Sequence, residues 1–118
     1  MTRVRLAWIA FIIVALGALP ALAHHGWSSY DAGKEMTLDG VIKESGYEHP
    51  HGHVRLEVPD KTWMVTLAPP SRMENRGLPR ETLKAGTTAS VVGYPNRSDP
   101  GEMRAERITI GNKTTELR

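Results

Sequence analysis

The stretch His53-Val54-Arg55-Leu56-Glu57-Val58-Pro59-Asp60-Lys61-Thr62-Trp63-Met64-Val65-Thr66-Leu67 decides the fold. Residues 53–58 alternate apolar and polar without a break, the pattern of a half-buried strand. Pro59-Asp60-Lys61 is turn chemistry, and 62–67 is rich in β-branched and aromatic residues. The stretch therefore predicts a hairpin with Val54, Leu56, Val58, Val65 and Leu67 turned to a core.

Working outward, residues 34–44 predict a long first strand with Met36, Leu38 and Ile42 on one face and a kink or bulge at Gly40. After the hairpin, Ala68-Pro69-Pro70-Ser71 stops the sheet. Ser71 followed by Glu74 reads as a capping box for a short helix over 72–76 that ends at Gly77. Residues 81–84 form a second short turn before Gly86. Residues 87–94 predict a fourth strand with Ala89, Val91 and Gly93 on one face, and 103–110 a fifth strand carrying Ile108 and Ile110. Gly111-Asn112 turns the chain, and 114–117 adds a short last strand.

Three strands, one short helix and then two or three strands give an all-β domain. The order fits a small five- to six-stranded Greek-key barrel of the oligonucleotide/oligosaccharide-binding (OB) shape. A β-sandwich or an open antiparallel sheet uses the same elements in another strand order.

Ahead of this domain, Arg3 and Arg5 precede an apolar run over 6–19, and Pro20 precedes the pattern Ala21-x-Ala23. A basic start, a short apolar run and an A-x-A site describe a secretory signal peptide. The run is shorter than the roughly 20 residues of a spanning helix, and the arginines are not adjacent, as a twin-arginine signal requires. The expectation is Sec-type export with 1–23 removed and 24–118 left as a single small β-barrel domain, periplasmic or otherwise exported, with no membrane attachment after cleavage. Loss of Arg3 and Arg5 brings the 15 basic residues level with the 13 acidic ones. A balanced domain has no general attraction to phosphate backbones, so nucleic acid is not an expected partner. The chain has no cysteine, which excludes disulfides and thiolate metal sites.

All five histidines fall in two clusters, His24-His25 at the start of the expected mature chain and His49-Pro50-His51-Gly52-His53. A histidine at residue one offers its imidazole and the free α-amine, whose pKa of about 7.7–8.0 makes it easily deprotonated. One further imidazole completes three nitrogens, the tetragonal set copper(II) prefers. This arrangement resembles the histidine brace of secreted copper proteins. The second cluster offers three imidazoles within five residues, with Glu48 as a further ligand or a hydrogen-bond acceptor. The metal-ligand candidates are His24, His25, His49, His51 and His53, with copper the expected metal and zinc the alternative. The amino-terminal copper-and-nickel motif needs histidine at the third mature position, which is Gly26.

Other motifs are weaker. Trp63-Met64 resembles the tryptophan and methionine of small exported copper chaperones, but the two alternate faces of a strand and read as packing. No histidine-acid set accompanies Ser71, so no catalytic set is evident and enzyme activity is not expected.

The residues His24-His25-Gly26-Trp27, Pro50-His51-Gly52-His53, Leu67-Ala68-Pro69-Pro70-Ser71-Arg72-Met73 and Glu102-Met103-Arg104-Ala105-Glu106-Arg107-Ile108 carry a resemblance to small exported bacterial proteins, the family domain of unknown function 6152. The resemblance spans essentially the whole mature chain. It implies export and a single small domain, and brings no activity. Family members usually carry asparagine at the position of His49, which shifts weight to His24, His25, His51 and His53. Two functions remain open: an exported copper-binding protein for storage, delivery or tolerance, and a non-metal binding or assembly module for another cell-envelope protein.

Overall fold

The computed structural model describes residues 26–118. The strands are β1 (Met36–Gly46), β2 (His53–Glu57), β3 (Thr62–Thr66), β4 (Thr88–Pro95), β5 (Glu102–Ile110) and β6 (Lys113–Glu116), with a helix α1 (Pro70–Asn75) between β3 and β4. The expected hairpin is β2–β3, with Val54 opposite Val65. The sheet runs β3-β2-β1-β4-β5-β6, and β3 also pairs with β5. That last pairing is parallel, joining Met64, Val65 and Thr66 to Glu102, Met103 and Arg104. It closes β1–β5 into a barrel and leaves β6 as an extra strand on β5. The expected all-β, OB-like architecture with one short helix is the one observed.

Strand β1 serves both halves of the barrel. Its first part, Met36 to Val41, pairs with β4, and its last part, Val41 to Gly46, pairs with β2. The register irregularity falls between Ile42 and Glu44, not at Gly40 as the sequence predicts. Gly40 instead permits a close approach, since a Cβ there would lie 2.3 Å from the Glu57 carbonyl oxygen. The crossing of β1 and β2 therefore depends on a missing side chain.

The helix also differs from expectation. It begins at Pro70, with Pro69 as N-cap and no side-chain cap. Proline at the first helical position has the right φ and no N–H to satisfy, so the helix starts earlier and Ser71 falls inside the first turn. The predicted end is observed: Gly77 has φ +79°, its N–H bonds to Glu74, and that of Leu78 bonds to Met73, a left-handed C-terminal cap.

The core contains Ile42, Val54, Leu56, Val65, Leu67, Val91, Met103 and Ile108, joined by Met73, Leu78 and Leu83 from the α1 connection and by Leu117. Leu38, Val58 and Ile110, expected inside, are half-buried at its margin. No helix among the described residues is long and apolar enough to cross a membrane.

Candidate functional site

Because side chains alternate along a strand, burial of Val54, Val65 and Met103 turns their neighbours His53, Thr66 and Arg104 to the outside of the barrel. The register aligns these neighbours. Gly46 faces His53, His53 faces Thr66, Thr66 faces Arg104, and Arg104 faces Tyr94. One row thus crosses five strands on the outer face.

At one end of the row, Gly46 makes room for an imidazole. A Cβ on Gly46 would come within 2.2 Å of His53 Cε1 and within 2.7 Å of both His53 Nδ1 and Glu48 Oε1. The His53 ring lies across the strand there, beside an exposed carboxylate.

At the other end lies the segment that follows the first histidine cluster. Trp27–Ser29 forms a 3-10 turn. The backbone beyond it is tied to the end of β4 by Asp31 N–H to Pro95 O (2.9 Å) and Arg97 N–H to Ser29 O (2.9 Å). The buried Tyr30 hydroxyl donates to Glu102 Oε1, which also accepts from Thr66 Oγ1 at 2.7 Å. Burial, then the bond to Glu102 and its charge, push the Tyr30 phenol up to about 12, so it stays a donor across the neutral range.

The Trp27 ring stands edge-on to Tyr30 and Tyr94, with centroids 6.3 and 6.0 Å away. The guanidinium carbons of Arg104 and Arg118 lie 4.3 and 4.6 Å from its centre. Arg104 is only 5% exposed, so its cation–π contact acts in a largely dry setting.

Arg104 Nη2 donates to His51 Nε2 at 3.2 Å. A guanidinium has no acceptor, so Nε2 carries the lone pair and Nδ1 the proton of a neutral ring. Burial, then the charges of Arg104 and Arg72, hold the His51 pKa below its ordinary value, which favours that neutral form.

The histidines are therefore not equivalent. His49 is exposed on the β1–β2 loop, His51 is half-buried against Arg104, and His53 lies beside Glu48. His24 and His25 lie outside the described residues, as does the expected signal peptide over 1–23. Among the described residues, no three histidine or acidic side chains come together as a metal site. Sequence reasoning missed Arg104 as the centre of the cluster. Its one signal was an arginine set between Met103 and Ala105.

A protein-family model described as "Family of unknown function (DUF6152)" matches residues 12–104. The chain belongs to this family. No curated protein sequence matches the chain. Among solved structures it is similar to a crystal structure of TiaS in complex with an isoleucine tRNA and ATP, with 19% identity and a TM-score of 0.52. That similarity covers 75% of this chain and 20% of the other, so it spans about a fifth of that protein. It is a likeness of fold.

Proposed function

We propose that this member of the DUF6152 family is an exported protein that binds copper(II) for storage, delivery or tolerance, in the periplasm or beyond it. The ligands are the α-amine and imidazole of His24 and an imidazole from His51 or His53, with His25 as an alternative and zinc as a second metal. One observation carries the reading. Trp27, three residues after His24, is stacked on Arg104, and Arg104 is bonded to His51. Three extended residues span about 10 Å, so the chain has the reach to bring His24 to the second cluster. Nitrogen donors in this number suit copper(II) above the harder divalent cations.

The test is calorimetric titration of copper(II), and separately zinc(II), into protein beginning at His24 and into protein with one glycine added before it. The extension keeps every side chain and converts the amine to an amide. Copper affinity is expected to fall by more than the roughly 10–100-fold that outer-shell partners cost, and in the native protein to weaken below about pH 6.5 as imidazoles take up protons. Equal affinities for the two proteins would rule out the amine as a ligand. Intact mass of the exported protein should show a chain that starts at His24.

A further inference from the structure

We propose that Trp27, Tyr30 and Tyr94 form an aromatic cage for a guanidinium group, the arginine side chain of a partner peptide, and that Arg118 stands in for that group in the isolated domain. The proposal goes beyond the copper reading and does not rest on it. Two distant parts of the chain build the cage. Tyr94 stands near the end of β4, and the backbone bonds from Asp31 to Pro95 and from Arg97 to Ser29 bring Trp27 and Tyr30 beside it. The rings meet at steep angles, with Trp27 inclined at 61° to Tyr30 and at 80° to Tyr94. Rings set this way are walls of a box. They enclose a cavity of about 30 Å³, completed by Ala32 and Arg118. That volume holds little more than a water, so a larger guest has to displace Arg118.

The chemistry of the box selects a cation with N–H groups. Ring faces attract cations, and the Arg118 guanidinium carbon lies 4.6 Å from the Trp27 ring centre, inside the roughly 6 Å reach of that attraction. Arg118 is nevertheless loosely held. Its ion pair with Glu106 is long, at 3.7 Å, and its side chain is 54% exposed, so solvent screens the pair. The acid is the fixed half: Glu106 Oε2 accepts from the Tyr94 hydroxyl at 2.9 Å, and Glu35 Oε2 lies 3.4 Å from the same hydroxyl. Carboxylates at the edge of the cage reward a guest that can donate to them. A guanidinium stacks on a ring and donates in one plane, whereas a quaternary ammonium has no N–H. The neighbouring cations do not block the site. Arg107 lies 3.8 Å from Glu106 but is bonded to Glu116 at 3.1 Å. Arg104 meets the Trp27 ring at 4.3 Å without lining the cavity. An arginine that takes the place of Arg118 adds no charge that the cage does not already hold.

The probe is Nα-acetyl-arginine amide, titrated into the protein while the Trp27 indole N–H, identified by its loss in Trp27→Leu, is followed by heteronuclear NMR. Wild type should bind with a Kd on the order of millimolar, as a single side chain held by stacking and one carboxylate would. Arg118→Ala removes the resident guanidinium, a competitor present at about millimolar effective concentration, and should tighten binding about fivefold or more. In that background Glu106→Gln should weaken it about fivefold, and Ala32→Leu, which keeps every ring and charge but narrows the cavity, should abolish the indole shift. Nα-acetyl-lysine amide should bind several-fold more weakly than the arginine probe, tetramethylammonium more weakly still, and acetate should leave the indole unmoved. The proposal is overturned if Arg118→Ala binds no tighter than wild type, if Glu106→Gln makes no difference, if acetate shifts the indole in place of the arginine probe, or if neither wild type nor Arg118→Ala gives a saturable shift.

Discussion

Replacing Arg104 with methionine tests the physical centre of the outer-face cluster. Methionine keeps an apolar stem of adaptable shape and removes the guanidinium. Attractive contacts go with it, those to Trp27 and His51 and the favourable electrostatics of Tyr30 and Glu102 among them. The stacking on Trp27, at 4.3 Å in a setting that leaves Arg104 5% exposed, contributes about 1–2 kcal/mol. The charged hydrogen bond to His51 contributes about 1.5–3 kcal/mol. Against these stand the desolvation of the guanidinium and its repulsion by Arg72 and Arg118, both of which lower the Arg104 pKa and both of which the substitution relieves. The expected net loss is about 2 kcal/mol in the metal-free protein, read from urea denaturation at fixed slope. A double-mutant cycle with Trp27→Leu should return a coupling of about 1 kcal/mol. In the same variant the His51 pKa should move back up, because one of the charges that lowers it is gone. A coupling below about 0.3 kcal/mol, the usual scatter of additive pairs, would refute the clamp, as would a variant as stable as wild type.

The pH profile of stability should slope at both ends. His51, depressed when folded, leaves the unfolded chain binding more protons below its ordinary pKa of about 6.5, so stability falls as pH drops from there, and His51→Gln should flatten that limb. Tyr30, raised when folded to about 12, contributes in full below pH 10 and loses its contribution as pH climbs through 12; Tyr30→Phe should remove this alkaline limb in a denaturation series. The barrel should also fold without metal, since its core is Ile42, Leu56, Val65, Val91 and Ile108 with their neighbours. Chelator-treated protein should keep a single cooperative thermal transition, and loss of that transition would make the metal structural.

What the sequence reveals here is what local pattern can encode. The alternation of Val54, Leu56 and Val65 announces the β2–β3 hairpin because strand period and burial coincide. Leu83 and Leu117 are single apolar residues outside any such run, and only the folded chain turns them into core. The parallel closure of β3 on β5 rests on three residue pairs whose partners are far apart in sequence, and a long-range register leaves no local mark. Ser71 and Glu74 carry a valid capping pattern that the fixed φ of Pro70 overrides. The same division holds at the site. The histidine clusters are plain in the sequence, but the bond of His51 to Arg104 and the placing of His53 across Gly46 depend on which strand lies alongside. Arg104 itself sits where simple alternation makes it one more surface charge; it is Trp27, at the other end of the chain, that buries it.

The position of Trp27's partners sets an order of events. Chains are made beginning at the N-terminus, and the earliest residues are the first to emerge. Trp27 nevertheless docks on Tyr94, Arg104 and Arg118, which come last. Fixing it closes a loop that contains nearly the whole domain, a contact whose entropy cost is repaid only once the barrel exists. Trp27 therefore has no docking place until the final strands have been added. A chain that still lacks β5 and the C-terminus would leave the indole undocked, and the finished domain alone holds it against the outer face. Fixing of Trp27 thus reports completion of the fold, and fluorescence of that indole during refolding should change in the last phase.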